Sequence, residues 1–149
     1  MSCVFCSIVA GEVPGRVYVY EDDSYIAILD LRAFTRGHTL VIPKQHTVDV
    51  TDTPPETMAG MITIGQRIAQ AARMTDLADG TNIGVNDGRA AAQSVFHIHL
   101  HVVPRRDNEP LKQLTVGADG NVVSSDPDPE ATGRILRDAL AGIDAIQSG

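Results

Sequence analysis

The stretch FHIHLHVVPRR, positions 96–106, places three of the chain's five histidines, His97, His99 and His101, at every second residue. Ile98, Leu100 and Val102 fill the alternate positions. Side chains of an extended strand alternate between its faces. The spacing therefore predicts imidazoles on one face, roughly 6.8 Å apart, and aliphatic groups on the other. Two chemistries use such a row. Imidazole ligates zinc, copper or iron. Neutral imidazole also attacks electrophiles, with its neighbours serving as acid, base or charge stabiliser. A merely solvated histidine face does not account for strict alternation against an unbroken aliphatic one.

Two further groups carry chemistry. Cys3 and Cys6 form a single CxxC. A redox CxxC follows a strand and opens a helix, whereas this one begins at residue 3. Metal binding is the better reading, and because structural zinc takes four ligands, His46 and His97 are candidates for the other two. The segment NDGRAAAQSVF, 86–96, leads into the histidines. Asn86, Gln93 and Ser94 offer amide and hydroxyl groups, Gly88 permits a turn, and Arg89 adds a charge. Such a loop suits phosphate oxygens, held by neutral donors while an imidazole attacks phosphorus.

Five strands are predicted to position these groups, at 16–21, 25–30, 38–43, 81–86 and 97–103. The acidic EDDS segment makes the first two a hairpin. A helix is predicted from Thr53 to about Met74, with Thr53 and Glu56 as a capping box and Pro54 in the first helical position. Met58, Met61, Ile62, Ile68, Ala69 and Ala72 form its apolar face. A second helix spans about 129–146, capped by Asp128, with Ile135, Leu136, Ala139, Leu140 and Ile143 inward. The strands lack regular βαβ spacing, which predicts an α+β fold with a mainly antiparallel sheet.

At 149 residues the chain fits one domain. No apolar run approaches the ~20 residues of a membrane helix. The N-terminus lacks the basic region of a signal peptide, so a cytoplasmic location is expected. The net charge of −7 argues against a nucleic-acid partner. Residues 107–149 hold eight acidic and three basic side chains, most of that excess.

The combination of FCSIVAGEVP, EDDSYIAILD, GHTLVIPKQH and NDGRAAAQSVFHIHLHVV resembles the histidine triad (HIT) superfamily, and within it the Hint-like branch of nucleotide hydrolases and transferases. The likeness implies a HIT-like fold over residues 1–106, with 107–149 as a C-terminal extension packed on the same domain. It implies that His99 attacks the α-phosphate of a purine nucleotide, forming a covalent nucleotidyl-imidazole that water then releases. His101 would bind the phosphate. Gln93 and Ser94 would contact phosphate and leaving group, and Asn86 the phosphate side. Asp30 would accept hydrogen bonds from the ribose, and Val4, Phe5, Ile8, Ile28 and Leu31 would form the purine slot. Cys3, Cys6, His46 and His97 match a zinc set of some prokaryotic relatives. The family also implies a homodimer, for which Met58, Met61, Ile62 and Ile68 are a candidate face. His38 remains, read as structural.

The implied activity is hydrolysis of a purine nucleoside phosphoramidate. The rivals are a Fhit-like dinucleoside polyphosphate hydrolase, with Arg105 and Arg106 on a second phosphate, a nucleotide-binding module with little turnover, and a metal-dependent oxygenase using His97, His99 and His101. Ala92 departs from the pattern, which commonly has glycine there. The long acidic tail departs as well, which bears on the leaving group.

Overall fold

The structure is a computed structural model that describes residues 2–109 and 126–147. A short helix, α1 (Val4–Val9), precedes the hairpin β1 (Tyr18–Glu21) and β2 (Tyr25–Leu29). Asp22 makes the turn, its Oδ1 accepting the amides of Ser24 and Tyr25, both at 2.8 Å. There follow β3 (Thr39–Pro43), α2 (Pro55–Met74), β4 (Gly80–Gly84), β5 (Leu100–Arg105) and α3 (Pro129–Gln147). The strands form one sheet in the order β1-β2-β3-β5-β4, every pair antiparallel. The α+β expectation and its five-stranded sheet are met.

One face of the sheet is covered by α2 and α3. Met61, Ile64, Ile68 and Ala72 of α2 meet Val41, Leu100 and Val102 of the sheet, while Leu136, Leu140 and Ile143 of α3 close the same core near Val17 and Val19. The extension thus shares the main core. Asp128 caps α3 as expected, its Oδ1 accepting the amide of Ala131 at 3.2 Å. Among the described residues the opposite face carries α1, where Phe5 and Ile8 pack on Ile26, Ile28, Leu40 and Ile42. Among the described residues no helix is long and apolar enough to cross a membrane.

Three expectations need correction. The strand predicted at 97–103 begins at Leu100, because the groups that would extend it are used elsewhere. His97 Nε2 takes the Pro43 carbonyl at 2.7 Å, and the Ile98 amide donates to Thr47 O at 2.9 Å. The strand also runs on through Pro104, whose missing N–H is harmless because pairing with β3 stops at Val102. Second, Thr53 is not the cap of α2. Its hydroxyl donates to Asp49 O and shares a hydrogen bond with Thr47, so Pro54 holds the cap position with no side-chain bond. Third, Met61 and Ile68 are fully enclosed in the monomer core and are no dimer face, while Ile62 points outward at 47% exposure.

Tyr25 crosses α2 at Gly60 and donates its hydroxyl to Thr57 O at 3.1 Å. A Cβ on Gly60 would collide with the Tyr25 ring. Gly60→Ala gains about 1 kcal/mol of helix propensity and loses roughly 1–3 kcal/mol to overpacking, besides the hydrogen bond. A net destabilisation of about 1–2 kcal/mol is expected in urea unfolding; a more stable variant would contradict this packing.

Candidate active site

Sheet register builds the site. Ile28 lies opposite Leu40, Leu40 opposite His101, and His101 opposite Gly84, so these residues form one row across the sheet on the face away from α2. A cleft of about 420 Å³ opens over this row. Val4, Phe5 and Ile8 of α1 wall it with Ile28, Asp30, Leu31, Ser94, His99 and His101. The helix is stopped by Gly11 at φ 76° and tied down by Tyr18, whose hydroxyl donates to Ile8 O at 2.9 Å. Every residue that the sequence assigns to the slot, the ribose carboxylate, Ser94 and the last two histidines meets here. Asn86 and Gln93 stand outside the lining. Arg16, which the sequence reading passed over, stands within it.

Backbone groups fix the polarity of each imidazole. His99 Nδ1 donates to the carbonyl of His97 at 2.8 Å. Its Nε2 therefore carries the lone pair, the form in which imidazole is a nucleophile. His101 is set the other way round. The Phe34 amide donates to His38 Nδ1 at 3.2 Å, so neutral His38 carries its proton on Nε2. That Nε2–H donates to His101 Nδ1 at 3.0 Å, which leaves the His101 proton on Nε2. Two neighbouring rings, 5.1 Å apart, thus offer one bare nitrogen and one N–H. His38 is more than structural: it sets the tautomer of His101.

Burial favours the neutral form of all three rings. It pushes His38 and His99 below the ordinary histidine value, in each case against the pull of Asp30. It drives His101 down to about 3, with His99 and His38 adding to the effect. Asp30 is held for its part: Oδ1 accepts the Arg32 amide at 2.8 Å, and Oδ2 lies 3.6 Å from His38 Nε2.

Among the described residues, two groups of side chains have donor atoms close enough to share a metal, and the tautomers separate them. In the first, His97 gives its Nε2–H to Pro43 O, so Nδ1 is bare. It faces Cys3 Sγ at 3.5 Å, Cys6 Sγ at 3.6 Å and His46 Nδ1 at 3.1 Å, and Cys6 Sγ lies 3.3 Å from His46 Nδ1. A tetrahedron with the usual Zn–S and Zn–N bonds puts its sulfur and nitrogen corners about 3.5 Å apart. Donor types, tautomer and spacing therefore all fit zinc. Burial and the Cys3 thiol raise the Cys6 thiol, so loading displaces protons. The second group, Asp30, His38 and His101, does not fit. A cation on His38 Nε2 would move its proton to Nδ1, against the Phe34 amide.

Gln93 organises the loop before the histidines. Its Oε1 accepts the Gly88 amide at 2.8 Å, and its Nε2 donates to Val48 O at 2.7 Å and Val95 O at 3.1 Å. Those bonds set the next residue, Ser94, at the cleft. Ala92 has φ 67°, a left-handed conformation that glycine adopts without strain, which is a physical reason for the usual glycine there.

The HIT domain model matches residues 11–108. The chain belongs to the HIT family. An uncharacterized HIT-like protein of Mycobacterium tuberculosis is 63% identical over 145 residues, 97% of each chain. The Adenylylsulfatase HINT3 of Arabidopsis thaliana is 40% identical over 109 residues, 73% of this chain and 55% of that one. The Adenosine 5'-monophosphoramidase HNT1 of Saccharomyces cerevisiae is 35% identical over 108 residues, 72% and 65%. Among solved structures, a Zn-bound histidine triad family protein from Mycobacterium smegmatis superposes with a TM-score of 0.87 at 59% identity, covering 98% of both chains.

Within the HIT fold Arg105 and Arg106 do not reach the cleft. Arg105 is buried and binds Glu109 at 3.0 Å and Asn82 at 3.2 Å, while Arg106 pairs with Asp76 at 3.2 Å. The expectation that they hold a second phosphate is overturned.

The neutral histidines make stability depend on pH. In the unfolded chain they take up protons below about 6.5, whereas in the fold they resist protonation. The unfolded state then binds more protons, so stability falls as the pH falls. The His101 contribution is whole above about 6.5 and is gone by about 3. Each such proton adds up to about 1.4 kcal/mol per pH unit to the slope. Urea unfolding from pH 6.5 to 5 is expected to show His101→Asn with a slope shallower by about one proton. Parallel slopes would remove His101 from this role.

Proposed function

We propose that this HIT protein hydrolyses purine nucleoside phosphoramidates, in which an amine nitrogen sits on the α-phosphorus of a nucleoside monophosphate. The observation that carries the reading is the pair of oppositely polarised imidazoles at the cleft floor, His99 with a bare Nε2 and His101 with an Nε2–H. A lone nucleophile needs only the first. Attack at an anionic phosphoryl centre also needs a donor beside it, because charge develops on its oxygens.

His99 Nε2 gives its lone pair to phosphorus, and the P–N pair departs on the amine. That nitrogen takes its proton from water at the exposed Ser94 hydroxyl. His99 keeps its Nδ1–H throughout, and the His97 carbonyl stabilises the charge that the ring acquires. Water then attacks phosphorus and returns the pair to Nε2, releasing the monophosphate. Asp30 accepts hydrogen bonds from the ribose, and Val4, Phe5, Ile8, Ile28 and Leu31 take the purine. Gln93 is a positioning residue that holds Ser94, and Asn86 is assigned to the phosphate side. The two relatives named for an activity support this division: their names share an adenosine monophosphate half and differ in leaving group, an amine in one and sulfate in the other.

Zinc is proposed at Cys3, Cys6, His46 and His97. Bound there it would join α1 to the segments after β3 and before β5. Its chemistry is structural, since four protein ligands leave no open position.

His99→Ala is expected to lower kcat for an adenosine phosphoramidate by roughly 10³-fold or more while AMP still binds. A wild type that binds AMP without releasing an amine would leave only the binding-module reading. Turnover retained by the variant would sink covalent catalysis through His99. For the metal, the purified protein is expected to hold about one zinc per chain by elemental analysis, and Cys3→Ser with Cys6→Ser less than about a tenth of that, with a lower Tm. Unchanged zinc in the double variant would place the metal elsewhere.

A further inference from the structure

Arg16 lines the cleft, yet the chemistry above makes no use of it. It lies two residues before β1, where the Leu29 amide donates to Val17 O at 3.0 Å. It therefore sits beside the end of β2 and Asp30. The strands β2 and β3 separate β1 from β5. At about 4.8 Å per strand, the backbone at Arg16 is roughly 14 Å from that of His101. A nucleotide with phosphorus at His99 and ribose at Asp30 directs its base toward Val4, Phe5 and Leu31, and the outer edge of the base toward Arg16.

The side chain is prepared for a ligand. Arg16 makes no hydrogen bond or ion pair with any described residue, and its Nε is enclosed without a partner. The side chain as a whole is half-buried and lines the cleft. The cleft it lines also holds Asp30 and Arg32 among apolar side chains such as Val4, Phe5 and Leu31. A guanidinium has donors only. Guanine presents two acceptors, O6 and N7, on one edge, whereas adenine presents N7 beside an amino donor. An arginine fork matches the first edge with two bonds and meets N–H with N–H at the second.

We infer that Arg16 determines base specificity, favouring 6-oxopurine nucleotides over adenine nucleotides by a two-donor contact to O6 and N7. The inference rests on the reading of the cleft as a purine nucleotide site. Hypoxanthine has the same O6 and N7 without the 2-amino group of guanine, so it isolates the contact.

Titration calorimetry of the full-length protein with GMP, IMP and AMP tests it. GMP and IMP are expected to bind about fivefold or more tighter than AMP. Arg16→Leu should weaken GMP and IMP far more than AMP. Arg16→Gln, whose amide pairs with adenine N6 and N7, should turn the preference toward AMP. Circular dichroism and Tm of both variants report whether the fold persists. Equal wild-type affinities, or a 6-oxopurine preference that survives both substitutions, would overturn the assignment. So would an equal weakening of all three nucleotides by Arg16→Leu, which marks a general charge effect. If AMP binds without GMP preference, this inference alone falls. If none of the three binds, the nucleotide reading falls with it.

Discussion

His97 presents its backbone carbonyl to His99 Nδ1 at 2.8 Å, and the free electron pair on His99 Nε2 follows from that contact. A carbonyl can only accept, so the ring proton has one place to be. The Phe34 amide acts with the opposite sign on His38, and through His38 on His101. Side chains in the cleft are therefore polarised by main-chain groups that titration does not alter. Burial then lowers the proton affinity of each ring, so the arrangement persists in mild acid. Turning either backbone group away would leave the same residues with no defined direction of proton or electron donation.

The same logic separates the two metal-capable groups. His97 turns a bare Nδ1 toward Cys3, Cys6 and His46 because Pro43 O holds its one ring proton on Nε2. Asp30, His38 and His101 lie about as close together, but the His38 proton is committed to His101 Nδ1. The second position of α1 extends the consequence into the cleft. Phe5 lies between the two cysteines in sequence and rests edge-on against His99, with ring centroids 4.9 Å apart. One short helix therefore takes part in both the four-ligand group and the apolar wall of the cleft.

Much of this was legible in the sequence because it is periodic or local. Alternation placed His99 and His101 on the cleft side and Ile98, Leu100 and Val102 in the core, even though the ladder itself begins only at Leu100. The CxxC spacing and the caps of α3 are likewise short-range. What escaped depends on distant pairing. His38 meets His101 across 63 residues, and no local pattern announces that an isolated histidine after a glycine will set a tautomer. Arg16 looks like ordinary surface charge until β1 is placed at the sheet edge beside β2. Thr53 has every local mark of a helix cap, but Asp49 and Thr47 hold its hydroxyl. Ile62 fits the helical period of α2, yet the stripe through Met61, Ile64 and Ile68 leaves it outside.

The separation between Cys3 and His97, 94 residues, has a consequence for how the molecule is made. During synthesis α1 leaves the ribosome first, with Phe5 and Ile8 bearing apolar surface and nothing yet to rest on. Their sheet partners emerge with β2 and β3, but His97, the last of the four clustered donors, is added only afterwards. At ordinary elongation rates that interval is on the order of 5–20 s. A nascent chain can therefore form the hairpin and much of the sheet while the mouth of the cleft is still open. The full set of four candidate metal ligands, and the paired imidazoles of the cleft, exist only once the segment carrying His97, His99 and His101 has been laid down.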